Sequence, residues 1–127
     1  MKPLVYRKSR RKRKGSKATA QKMHIAKGDT VRVLRGEYRG KEGTVLRVLP
    51  RKNRVVVEGV NEVSRHRRAT PTAEAGIVKF PAPIHASNVM LLDPESSEPT
   101  RVRRKKDEDG TLERLAKKSG QPIPRKR

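Results

Sequence analysis

With 127 residues, 31% of them hydrophobic and only Tyr6, Tyr38 and Phe80 as aromatics, the chain has material for one modest core filled by Val, Ile and Leu. Its 34 Lys and Arg against 13 Asp and Glu give a formal net charge of +21, so a compact fold repels itself unless a polyanion lies against it. No apolar run reaches spanning length and no long apolar helical face is backed by a basic one, which favours nucleic acid over membrane as partner. The lack of cysteine removes disulfides, thiolate metal sites and cysteine nucleophiles, and suits a reducing cytosol.

Residues 1–22 hold ten basic residues and no acidic one, and the weak apolar content of residues 1–6 does not make a secretory signal. Such a segment is expected to be disordered alone and to thread along phosphates, where counterion release repays its ordering. Arg7, Arg10, Arg11, Lys12, Arg13 and Lys14 are its candidate RNA contacts. A solubilising tail and an Arg-rich transit peptide are the alternatives.

Residues 24–93 read as strands. Val31 and Val33 alternate with Arg32 and Leu34 after a Gly28-Asp29 turn, and Thr44 to Leu49 is joined to Val55-Val56-Val57 through a turn at Pro50 to Asn53. Further β-branched pieces span Val60 to Val63, Ile77 to Phe80 and Val89 to Leu92. Short strands, tight turns and no helical period predict an all-β fold, a small closed or nearly closed barrel that leaves no open edges. Between residues 65 and 76 the apolar pattern lapses, which predicts a protruding loop carrying Arg65, His66, Arg67 and Arg68. Gly36, Gly40 and Gly43 stand at offsets suited to a compact reversal between the first two strands, from which Arg35, Arg39 and Lys41 project, with Lys27 nearby. Glu37 and Glu42 are candidates to hold these bases in position.

Beyond residue 93 the alternation is lost. Thr100 to Lys118 admits a hairpin around Asp109-Gly110, while the helix-favouring residues Leu112 to Lys117 offer a short helix instead. Either way the segment reads as an appendage laid on RNA, and Gln121 to Arg127, with Pro122 and Pro124, as a flexible basic end. The organisation is thus a basic extension at 1–23, a barrel at 24–93 with its loop at 65–76, and a basic appendage and tail at 94–127.

Lys27-Gly28-Asp29-Thr30-Val31, running through Gly40 and Gly43 to Val45, resembles the KOW motif, which implies an SH3-like barrel and a nucleic-acid context and occurs also in transcription elongation factors. The series Val55 to Asn61, Gly76-Ile77-Val78 and Pro83 to Pro94, then Thr100-Arg101-Val102 and Ala116 to Gly120, is similar to the bacterial-type large-subunit ribosomal protein twenty-four family. That resemblance covers about residues 24–120. It implies binding to large-subunit rRNA near the 5′ domain, a part in early subunit assembly, and a position near the mouth of the peptide exit tunnel beside neighbouring large-subunit proteins. It also implies that the 65–76 segment is the hairpin reaching toward that exit. A cytoplasmic ribosome is the expected location, ahead of a bacterial-type organelle. Where the family commonly carries a Gly-aromatic strand after Thr-Arg-Val, this chain has Arg103-Arg104-Lys105-Lys106, which favours phosphate contact by Arg101, Arg103 and Arg104.

His85, Ser87 and Asn88 complete the candidates, as a polar turn able to bond its own backbone or RNA. Metal binding is not expected, since His24, His66 and His85 lack ligand spacing. No Gly-Lys-Ser or Gly-Lys-Thr follows the spacing of a nucleotide-phosphate loop, and the letters Ser87, His85 and Asp93 do not make a catalytic set. No cofactor, small-molecule substrate, enzymatic activity or homo-oligomer is expected. A transcription-associated module would need a polymerase-binding domain that residues 1–22 are too short and charged to build. A nonspecific packaging protein gives no reason for the ordered glycine and Pro-Ile-His-x-Ser-Asn elements.

Overall fold

A computed structural model describes residues 19–125; the candidate contacts Arg7, Arg10, Arg11, Lys12, Arg13 and Lys14 lie outside the described residues. The strands are β1 (Thr30–Val33), β2 (Glu42–Leu49), β3 (Arg54–Val57), β4 (Glu62–Arg67), β5 (Gly76–Pro81), β6 (Ile84–His85), β7 (Val89–Leu91), β8 (Val102–Lys106) and β9 (Leu112–Ala116). A 3-10 turn, Ala86–Asn88, joins β6 to β7. Five strands form one sheet in the order β6-β3-β2-β1-β7, and β4-β5 and β8-β9 are separate two-stranded ribbons.

Period-two alternation buries one face of the central sheet. Val31 and Val33 of β1, Val55 and Val57 of β3, and Val89 and Leu91 of β7 all turn inward, joined by Ile25, Val45, Val60 and Ala86. Each large apolar side chain contributes about 1.5–3 kcal/mol on burial, so a core with so few aromatics still holds. Val60 does so from the turn between β3 and β4, not from a strand as its β-branching suggested; β4 begins at Glu62. The expected β2 starts two residues early and carries a bulge between Val45 and Arg47 against β3. The extra residue exposes Leu46 yet lets Val45 and Val48 both reach the core.

Gly43 sits opposite Val31, where a Cβ would lie 2.5 Å from the Glu58 carbonyl oxygen and 2.8 Å from Val57 Cγ1. This glycine is required by the close approach of β2 to the end of β3. Gly36 and Gly40, by contrast, adopt φ +93° and +84° to turn the chain between β1 and β2.

The C-terminal segment forms the hairpin, not the helix. Residues 112–116 pair in register with 102–106, and alternate residues Arg114 and Ala116 are buried, so packing overrides helix propensity. Residues 121–125 of the expected loose end are tied down: Ile123 donates its N–H to the Arg114 carbonyl at 2.7 Å, and Ala116 donates to the Gln121 carbonyl at 2.8 Å.

Arg114 locks this ribbon onto the central sheet. Its guanidinium donates to both carboxylate oxygens of Asp29 at 2.6 and 3.0 Å, to the His24 carbonyl at 2.9 Å and to the Pro124 carbonyl at 3.2 Å. Asp29 is 4% exposed and Arg114 4%, and the carboxylate also accepts the Ala26 N–H at 2.7 Å. Across the same seam, Asp93 accepts the Ser119 hydroxyl at 2.8 Å and the Glu95 N–H at 3.1 Å. Burial pushes the Asp93 carboxyl up, but the hydrogen bonds from Glu95, Ser119 and Ser96 outweigh it and leave the pKa lowered.

Two outcomes are expected in urea unfolding of the RNA-free protein. Gly43→Ala lowers stability by about 1–3 kcal/mol through overpacking. Arg114→Met costs about 3–5 kcal/mol by stranding a buried carboxylate, and adding Asp29→Asn restores much of it. Equal losses in the single and double variants would show that the charge pair is not what holds the ribbon.

Candidate nucleic-acid interface

The connection between β1 and β2 is a braced platform. Gly40 donates to the Val33 carbonyl at 2.8 Å, Val33 to the Lys41 carbonyl at 2.9 Å and Arg39 to the Gly36 carbonyl at 3.2 Å, which leaves the Arg35 and Arg39 side chains exposed on a fixed backbone. Neither forms an ion pair among the described residues. Lys41 also braces the loop from below. Its ammonium donates to the Gly59 carbonyl at 2.8 Å and lies 5.5 Å from the Tyr38 ring centroid, tying this loop to the turn after β3. Glu42 pairs with Arg32 across the β1-β2 ladder, not with the loop cations, and Glu37 makes no ion pair among the described residues. Lys27 is exposed just before the Gly28 turn.

The polar turn at residues 85–88 bonds to itself. His85 Nδ1 accepts the Ser87 N–H at 3.2 Å and lies 2.7 Å from the Ser87 hydroxyl, capping the 3-10 turn. With Nδ1 accepting, the ring proton sits on Nε2, which remains available for an acceptor such as a phosphate. Asn88 gives its carbonyl to the Leu34 N–H at 2.8 Å, so Asn88 and Arg35 line one cleft. Arg54 stands opposite His85 in the β3-β6 ladder and adds an exposed cation to this end. Sequence reading missed Arg54; the hairpin register about Pro50 to Asn53 would have found it.

A groove between the 3-10 turn, β7 and β8 gathers Ser87, Arg101, Arg103 and Arg104 around His24. Two segments singled out separately in the sequence therefore share one site. Burial lowers the His24 pKa below its ordinary value, and the positive charges of Arg104 and Arg114 lower it further against the opposing Asp29. His24 enters this groove beside three arginines, a place that its isolation in the sequence did not signal.

Arg65, His66 and Arg67 lie within β4 and not in a loop as predicted; the connection proper begins at Arg68. The alternation disappeared from the sequence because this ribbon has no buried face: all of β4, and β5 up to Phe80, is exposed. The candidate residues thus fall on three surfaces, namely the braced loop with the 85–88 turn, the His24 groove and the β4-β5 ribbon. No group of three or more potential metal ligands occurs among the described residues, and none of their helices is long and apolar enough to cross a membrane.

Residues 27–58 match the KOW motif, so the small β-sheet domain belongs to the class of KOW-containing proteins. Residues 60–123 match the large ribosomal subunit protein uL24, C-terminal domain. The uL24 protein of Macrococcus caseolyticus is 56% identical over 102 residues, covering 80% of this chain and 99% of that protein. That of Amoebophilus asiaticus is 52% identical over 103 residues, covering 80% and 90%, and that of Staphylococcus aureus strain JH9 is 54% identical over 102 residues, covering 80% and 96%. The chain belongs to the uL24 family of large ribosomal subunit proteins.

The His24 shift fixes the sign of one pH effect. Because the folded pKa is lowered, the unfolded chain takes up the proton first; stability is complete above the unfolded value of 6.5 and declines as pH falls toward the folded one. The urea midpoint of the RNA-free protein is expected to drop on acidification through that window, and His24→Gln to flatten the drop. An identical pH profile in the variant would remove His24 as the cause.

Proposed function

We propose that this protein is a structural constituent of the large ribosomal subunit that binds large-subunit rRNA, supports early subunit assembly and lies near the peptide exit tunnel among neighbouring large-subunit proteins. Family membership is the observation that carries this reading. The surfaces support it physically, since the exposed cations of the braced loop, the His24 groove and the ribbon are suited to phosphate and sugar, where most protein contacts to nucleic acid fall. Lys27, Arg35, Arg39, His85, Ser87, Asn88, Arg101, Arg103 and Arg104 are the contacts proposed within the described residues, with Arg65, His66, Arg67 and Arg68 on the ribbon. Lys41, Gly36 and Gly40 support the platform from beneath.

The central sheet is read as an SH3-like barrel. Its marginal strands β6 and β7 are joined by a single 3-10 turn, a connection that draws the two edges together. The working location is the cytoplasmic ribosome, with the protein present as one copy held by RNA and not as a homo-oligomer.

The full chain is expected to bind large-subunit rRNA saturably in moderate salt. On a plot of log affinity against log salt, Arg35→Gln and Arg39→Gln should each reduce the slope by about 0.7–0.9 where the side chain meets a phosphate. Absence of saturable binding would end this reading. Crosslinking in assembled large subunits, mapped to residues 65–76 and 101–118, then locates the contacts.

A further inference from the structure

The β4-β5 ribbon has two unlike faces. Opposed residues of an antiparallel pair share a face, so Val63 with Phe80, Arg65 with Val78 and Arg67 with Gly76 lie together. The other face carries Glu62, Ser64, His66 and Lys79, with Ile77 and the strand-end Pro81 as its apolar groups. On the first face Val63, Val78 and Phe80 remain 36%, 43% and 36% exposed, whereas Val57 and Val60, a few residues before them, are shut from solvent. A shallow concavity there takes in Arg65, Arg67, Arg68, Thr70, Val78 and Phe80, together with His66 from the other face. At its open end Gly76 has nothing within 4 Å of where a Cβ would stand.

Arginines that only neutralise phosphate need no apolar floor. A two-stranded ribbon that keeps Val63, Ile77, Val78 and Phe80 in water is itself marginal, and three of these four share the face of Arg65 and Arg67. Its root is held by the Ala82 N–H donating to the Asn61 carbonyl at 2.9 Å, and no described strand of the central sheet pairs with it. This face therefore needs an occupant with a flat apolar surface and negative charge nearby. An unpaired nucleobase with its own phosphates meets both requirements: bases splayed from single-stranded RNA stack on aromatic rings and guanidinium planes, and the phosphates pair with the arginines. No carboxylate of the ribbon's two strands lies on this face to oppose them.

We infer that this face of the ribbon is a base-binding subsite, in which an unpaired base of RNA stacks on Phe80 against Val63 and Val78 while Arg65 and Arg67 hold its flanking phosphates. The inference rests on the rRNA-binding role proposed above and adds a stacking component that a purely electrostatic surface lacks.

Binding of the full chain to large-subunit rRNA, measured across a salt series, separates the two. Phe80→Ala should weaken binding roughly five- to a hundredfold with the salt slope unchanged, because stacking releases no counterion. Phe80→Trp should restore it, which shows that loss of the ring, not loss of the fold, was responsible. Arg65→Gln should instead lower the slope. Chemical probing should show one unpaired base that the wild-type protein protects and the Phe80→Ala variant leaves reactive. Wild-type affinity and an unchanged footprint in Phe80→Ala would overturn the subsite while leaving the rRNA-binding role intact. The same holds if Phe80→Ala binds RNA normally but is excluded from assembled subunits, since a protein neighbour would then cover this face. Failure of the wild-type chain to bind would overturn both readings.

Discussion

The contact between Asp29 and Arg114 joins the second residue of the KOW turn to the middle of the last strand, across 85 positions of sequence. Through it the β8-β9 ribbon is fastened to the central sheet. The carboxylate accepts from the Ala26 amide as well as the guanidinium, and the guanidinium also reaches the His24 and Pro124 carbonyls, so one group organises the start of the sheet, the β8-β9 ribbon and the terminal segment. A buried pair of this kind is weak as a source of net stability but strong as a determinant of arrangement, since neither charge tolerates another partner. The Arg114 Nε proton lacks an acceptor among the described residues, which adds to the cost of burying the pair.

The remaining cations are arranged on the opposite principle. Only three ion pairs occur among the described residues, one of them this buried pair, and the exposed arginines of the loop, the groove and the β4-β5 ribbon take part in none. Such a surface works against folding in isolation and in favour of folding beside a polyanion. The backbone bears that repulsion because Gly36 and Gly40 fix the β1-β2 connection, Lys41 ties it to Gly59, and His85 caps its own turn.

Much of this was legible beforehand. Alternating valines located β1, β-branched runs located β3 and β7, and the Pro50 to Asn53 turn set the β2-β3 hairpin; Gly36 and Gly40 turn the chain as their spacing suggested, whereas Gly43 lies within β2 and is needed for its close approach to the end of β3. What escaped were features decided by distant partners. Asp29 read as a turn residue because its counter-charge lies so far along the chain, and nothing local singles out Arg114 in a stretch able to form either hairpin or helix. Arg65 to Arg67 read as loop because a strand exposed on both faces leaves no alternation to detect. The bulge at Leu46 and the inward turn of Val60 likewise follow from register and not from local composition.

The position of Arg114 near the end of the chain has a temporal consequence. During synthesis the KOW segment emerges first, with a carboxylate destined for the interior and no cation to meet it until the final strand is made. Until residue 114 is made, that carboxylate has water in place of the guanidinium, and the seam at Asp93 and Ser119 is open. The arrangement of the KOW turn is thereby coupled to a strand made 85 positions later.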